Sequence, residues 1–141
     1  MQDSELRALS RVRLDHAREC LDAAISNLET GQLKTAANRS YYAAFHAIRA
    51  ILALDGVDYK RHSGVISEFQ RRYIKTAVFP RSVSPILMGL FDIRTRSDYD
   101  DFYVIAKADI LSQVEGSKRF VDLVGDYLSI RWTEMQEKEM S

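Results

Sequence analysis

One cysteine stands in the 141 residues of the chain. Cys20 therefore closes no disulfide within the chain, and a thiolate zinc site, which takes two to four cysteines, is excluded. Proline occurs twice and glycine six times, too few for a loop-rich or all-β domain. No apolar run approaches the roughly 18 residues that span a bilayer. The polar start, Met1 to Glu5, lacks the apolar stretch of a signal peptide, so the expected location is cytoplasmic, without a membrane partner. Charge of a single sign is lacking too. Lys+Arg and Asp+Glu each number 20, which removes the global basic footprint of a protein that coats nucleic acid. Positive charge clusters only locally, in Lys60, Arg61 and His62 and again in Arg71, Arg72 and Lys75. No glycine-rich phosphate loop, nucleophile elbow or His-Glu-x-x-His pattern is present, and no metal or other cofactor is expected.

Apolar residues make up 46% of the chain, enough for a core, with Ala and Leu plentiful and β-branched runs scarce. That composition predicts helices. The spacing predicts five. The first covers residues 4 to 30, capped by Asp3 or Ser4 and ended by Gly31, with an apolar stripe through Leu6, Leu9, Val12, Ala17, Leu21, Ala24, Ile25 and Leu28. The second covers 32 to 54 and stops at Gly56. Its Leu33, Ala37, Ser40, Ala44, Ala47, Ile51 and Leu54 alternate in steps of three and four, and Tyr41, Phe45, Ile48 and Leu52 make a second flank apolar. A helix apolar over so much of its circumference is expected at the centre of the fold, or shared between the core and a second copy of the chain. The third covers 63 to 75 with Ser63 as its cap. Ser84 is expected to cap the fourth, with Pro85 at its first position. Periodicity lapses after Arg94, and the last helix covers 106 to 132. Residues 1–132 thus read as a single all-α antiparallel bundle of four to five helices, and 133–141 as a charged tail expected to fray.

Three segments carry polar residues that could do chemistry. At 100° per residue, Arg39, Tyr42 and His46 share one strip of the second helix. Arg offers a planar fork for phosphate, and His a proton near neutral pH. The same strip is equally readable as a buried polar network that fixes packing. His62 and Ser63 open the third helix, where free N–H groups attract anions, although an ordinary cap would look the same. The third segment, Arg94 to Tyr103, sets Arg94 and Arg96 beside Asp98, Asp100, Asp101, Tyr99 and Tyr103. There the arginines either bind phosphate or merely pair with the aspartates to fix a corner. The aspartates have no ligand spacing that singles out a metal.

Together, Asn38 to Ala47 (NRSYYAAFHA), Arg61 to Ile66 (RHSGVI) and Arg94 with Asp98-Tyr99 resemble the small standalone prokaryotic HEPN-domain proteins, over roughly residues 5 to 130. The resemblance implies a helical bundle that pairs as a homodimer, with a site near the last two helices. It also implies a component of a toxin–antitoxin or defence system acting on RNA, in many relatives as a metal-independent endoribonuclease. The alternative it implies is a non-catalytic module that binds a nucleotide or a minimal nucleotidyltransferase partner. Arg94 is similar to the arginine of the family's Arg-x4–6-His motif, but Tyr99 stands where the histidine would follow. Arg96, Asp101 and Tyr103 copy a related Arg-x4-His-x-Tyr frame with Asp for His. The resemblance thus places Arg94, Asp98 and Tyr99 as catalytic candidates. Arg39, Tyr42, His46, His62, Ser63, Arg96 and Tyr103 are binding candidates, with His46 or His62 filling the missing role through space.

Overall fold

A computed structural model of the protein describes residues 2–141. Helix α1 (Asp3–Glu29) turns at Gly31, whose φ of 76° needs the left-handed freedom of glycine, into α2 (Leu33–Leu54), which ends before Gly56 at φ 69°. Helix α3 (His62–Phe69) runs on without a break into a π-helical turn over Gln70–Ile74. Helices α4 (Val83–Tyr99) and α5 (Lys107–Met140) complete an all-helical bundle with no strand among the described residues.

Helix α2 is the axis of this bundle. It packs on α1, α3, α4 and α5, and fourteen of its 22 residues are buried. Seven of the fourteen are alanines, with Ser40 an eighth small residue. Small side chains let neighbouring backbones come close, and the contact is polar as well as apolar. Ser117 Oγ of α5 donates to the Ser40 carbonyl at 2.8 Å, and Ser10 Oγ of α1 donates to the Ala50 carbonyl at 2.7 Å. Trp132 of α5 in turn donates to Ser10 Oγ at 3.0 Å. Larger residues fill the space around this axis: Phe69, Phe79, Phe120 and Tyr73 form one aromatic group between α3, α5 and the connector to α4.

A second polar anchor lies one residue away along α5 from Trp132. Arg131 of α5 reaches Asp55 at 2.6 Å and the Tyr73 hydroxyl at 2.7 Å, while Tyr73 donates to Asp55 at 2.5 Å. Burial, reinforced by that bond, pushes the Tyr73 phenol well above its ordinary range. The three groups satisfy one another, the condition under which buried charge is tolerated.

Several local expectations need correction. Val12 is 51% exposed, and Ser10, Arg13 and Leu14 are the buried residues on that turn of α1. Neither Ser63 nor Ser84 caps a helix. α3 begins one residue earlier, after Arg61, and α4 begins at Val83, after Ser82. The lapse in apolar spacing after Arg94 does not break α4, because the i,i+4 pairs Asp92–Arg96 and Arg94–Asp98 support a polar-faced turn there. Residues 133–140, expected to fray, continue α5, and Glu139 is clamped by Arg7 of α1 at 2.7 Å.

Ala47→Leu should overpack the α2 axis. Its expected cost is about 1–3 kcal/mol, read as a lower urea midpoint with an unchanged slope. An unchanged midpoint would show that the axis has slack.

Candidate functional site

Tyr41 and Tyr42 follow one another on α2 and so point about 100° apart. Tyr41 is buried and Tyr42 half-buried. From α4, the guanidinium of Arg94 lies 5.3 Å from the centre of the Tyr41 ring and 5.7 Å from that of Tyr42. Its Nη2 donates to the Tyr42 hydroxyl at 3.3 Å. The Arg94 Nε stands 3.0 Å from Asp98 Oδ2, one turn along the same helix. That contact is an ion pair by proximity only, because the Nε–H itself finds no acceptor. Arg94 is therefore held in place, yet its hydrogen-bonding capacity is not exhausted.

The first residue of α3 completes the group. His62 Nδ1 lies 3.0 Å from the Tyr41 hydroxyl, which donates or accepts according to the tautomer. The His62 ring also lies 4.1 Å from the Phe45 ring centre. Burial, then the charges of Arg94 and Arg49, hold His62 below its ordinary titration range, so it is neutral at pH 7. Burial pushes the Tyr41 phenol up to about 12, against the pull of Arg94, so it stays protonated. His62 and Tyr42 face an open cleft of about 510 Å³, whose other walls are Phe45, His46, Arg49 and the loop residues Asp58, Tyr59 and Lys60. Aromatic rings, two unlike cations and neutral imidazoles thus meet in one concave site. Asp58 supplies the only carboxylate there, and Arg13 and Arg49 approach it at 3.4 and 3.5 Å.

The structure brings some of the sequence candidates together and separates others. Arg94, Asp98, Tyr42 and His62 form one cluster, and His46 lines the same cleft. Arg39 lies over the Tyr42 ring at 5.2 Å and is held by Asn38 Oδ1. Ser63 lines a separate, smaller groove with Met88 and Phe91. Arg96 is exposed and paired with Asp92. Tyr99 is 77% exposed at the end of α4. Tyr103 packs against a second apolar cluster with Ile105, Ile110 and Val114, so the Arg96-Asp101-Tyr103 frame does not assemble around a common point. Among the described residues, no group of three His, Cys, Asp or Glu is gathered in a way that could hold a metal ion. No helix there is long and apolar enough to cross a membrane.

Sequence reasoning missed Tyr41, which the spacing assigns to an apolar flank. A tyrosine on a buried face was itself a signal, because its hydroxyl must find a partner. Arg49, Tyr59 and Phe45 were missed as well, and nothing in their spacing distinguishes them from solvent-facing or core residues.

The HEPN domain family matches this chain over residues 10–127. A UPF0332 protein of Thermotoga maritima is 31% identical over 108 residues, which cover 77% of this chain and 82% of that protein. Another UPF0332 protein, from Pyrococcus horikoshii, is 40% identical over 63 residues, 45% of this chain and 44% of its own length. A Methanocaldococcus jannaschii protein named "Putative toxin" is 27% identical over 97 residues, 69% of this chain and 72% of its own.

Two titrations check the electrostatics of the cleft. By NMR, His62 should titrate below 6.5 and move upward in Arg94→Gln, since a positive neighbour has gone. His46 is pushed down from 6.5 to about 4, first by burial and then by Arg49, His16, Arg39 and Arg13. Above pH 6.5 neither the folded nor the unfolded form is charged. As pH falls from about 6.5 toward 4, the unfolded chain takes up a proton that the fold refuses, so stability is lost across that window. Denaturation at pH 7 and pH 4.5 should show this loss, and His46→Phe should lessen it. An equal loss in the variant would mean His46 titrates normally.

Proposed function

The chain belongs to the HEPN domain family, and on that premise we propose that it is the toxin-like component of a defence or toxin–antitoxin system that cuts RNA without a metal, with His62 replacing the histidine missing after Arg94. The observation that carries this reading is that Arg94 hydrogen-bonds Tyr42, which lines one cleft together with a neutral His62, itself 3.0 Å from Tyr41. The relative named "Putative toxin" supports the biological setting.

Cleavage of an RNA phosphodiester needs a base for the 2′-hydroxyl and positive charge on the transition state. With its ring proton on Nδ1, given to the Tyr41 oxygen, His62 has Nε2 free as that base. A neutral imidazole fits the task, and the buried Tyr41 phenol stays protonated and does not compete as a second base. The 2′-oxygen attacks the adjacent phosphorus as His62 takes its proton. The 5′-oxygen leaves, taking a proton from solvent in the open cleft. The products are a 2′,3′-cyclic phosphate and a 5′-hydroxyl. The Tyr42 hydroxyl, which accepts from Arg94 and keeps its own proton to donate, meets the phosphate oxygens, and Arg94 supplies positive charge next to it. Asp98 positions Arg94. Arg49 and Lys60 draw the flanking phosphates.

The exposure of Tyr99, at 77%, favours a second reading. A non-catalytic module of this shape would bind a nucleotide in the cleft and offer Tyr99 to a minimal nucleotidyltransferase partner as a nucleotidyl acceptor. In either reading a homodimer is expected, with RNA or a nucleotide as ligand and the cytoplasm as its setting.

Purified protein in EDTA should cut RNA to 2′,3′-cyclic ends. Arg94→Ala and His62→Ala should each slow cleavage by about a hundredfold or more, the usual size of a lost charge or proton-transfer group. Cleavage that survives both substitutions would remove the site. No cleavage by the wild type, together with transfer of a nucleotidyl group to Tyr99, would establish the second reading.

A further inference from the structure

The chemistry at His62 leaves His46 unused, although both line one cleft and both rings lie within 6 Å of the Phe45 ring, at 4.1 and 5.9 Å. His46 also borders Tyr42 at 6.0 Å, and His16 of α1 meets it edge-on at 5.8 Å. The charged groups around it come from three elements: Arg13 and His16 of α1, Arg39 and Arg49 of α2, and Asp58 of the following loop. Asp58 is approached by Arg13 and Arg49, and no carboxylate bonds the imidazole.

His46 Nδ1 is buried without a hydrogen-bond partner. A buried N–H with no acceptor is rarer and costlier than a buried acceptor with no donor. The ring proton therefore belongs on Nε2, and the edge that faces the cleft is a donor. A phenylalanine would fill the same place without stranding a nitrogen, so packing alone gives no reason for an imidazole here. Around it stand three rings, Tyr42, Phe45 and Tyr59, of the kind on which an unstacked base lies.

We propose that His46 selects the nucleobase on the 5′ side of the cleaved phosphate, its Nε2–H donating to a carbonyl oxygen on the base edge. The inference rests on the cleft being the RNA site of the preceding section. Uracil and guanine carry a carbonyl at the position where adenine and cytosine carry an amino group, itself a donor, so a donor set against that position favours uracil and guanine and disfavours adenine and cytosine. A donor left without its acceptor is what turns a polar pocket into a selective one.

The test is calorimetric binding of the four nucleoside 3′-monophosphates, which correspond to the piece left after cleavage. Wild type should bind 3′-AMP and 3′-CMP at least about fivefold more weakly than 3′-UMP or 3′-GMP, the worth of roughly one hydrogen bond. In His46→Phe the four affinities should fall within about twofold of one another, and His46→Gln, which keeps a donor, should restore part of the preference. Equal binding of all four by wild type, a preference that survives His46→Phe, or no binding of any would overturn the proposal. Discrimination without RNA cleavage would end the cleavage reading and leave the role of His46 standing, whereas cleavage without discrimination would do the reverse.

Discussion

Everything in this molecule is hung on the close approach of α1 and α5 to the alanine- and serine-lined axis of α2. A helix buried on most of its circumference has no free face on which to carry bulk, so where its neighbours cross it the side chains must be small. The serine hydroxyls at these crossings return hydrogen bonds to backbone carbonyls of α2, which holds the crossings in register as well as in contact. Bulk is then pushed to the remaining sector of α2, where Tyr41, Tyr42, Phe45 and His46 stand. The site lies where the central helix turns toward α3 and α4.

That placement explains the electrostatics. Tyr41 and His62 are buried enough for desolvation to dominate both, which keeps one protonated and the other neutral. Arg94 reinforces the effect on the imidazole without needing to touch it, and opposes the effect on the phenol. The arginine is fixed by Asp98 on one side and by two tyrosine faces on the other, so little order has to be gained when an anion arrives. A net charge of zero for the whole chain is compatible with this arrangement because the positive charge is local to the cleft, while the carboxylates near it are paired.

The sequence made the helical class, the central position of α2 and the shared strip of Arg39, Tyr42 and His46 readable, because all three follow from a period of 3.6. It also showed Arg94 with its aspartate a turn away. It did not show that α4 continues through Tyr99. Ion pairs on an exposed face stabilise a helix without apolar spacing, and periodicity is blind to them. Nor did it show which histidine meets Arg94. That depends on the angle at which α3 leaves the loop after Asp55, and no local pattern encodes it. Tyr41 was misread for the opposite reason: its spacing is that of a core residue, and it is one, with a hydroxyl that reaches His62. Val12 shows the limit of the stripe argument, since one edge of an apolar band stands in water.

The π-helical turn at Gln70–Ile74 has a meaning beyond its local geometry. A helix locks every side chain to one angular phase, so a segment that must present His62 to a cleft and Tyr73 to Asp55 and Arg131 would ordinarily tie those two orientations together. The wider turn begins between them, at Gln70, and carries Tyr73 within it, so it shifts the angular phase at which Tyr73 leaves the helix. It works as a phase joint. The end that serves the cleft and the end that anchors the bundle can each drift in sequence without forcing a compensating rotation on the other. A fold with such a joint can change what its cleft does while leaving the way it holds together alone.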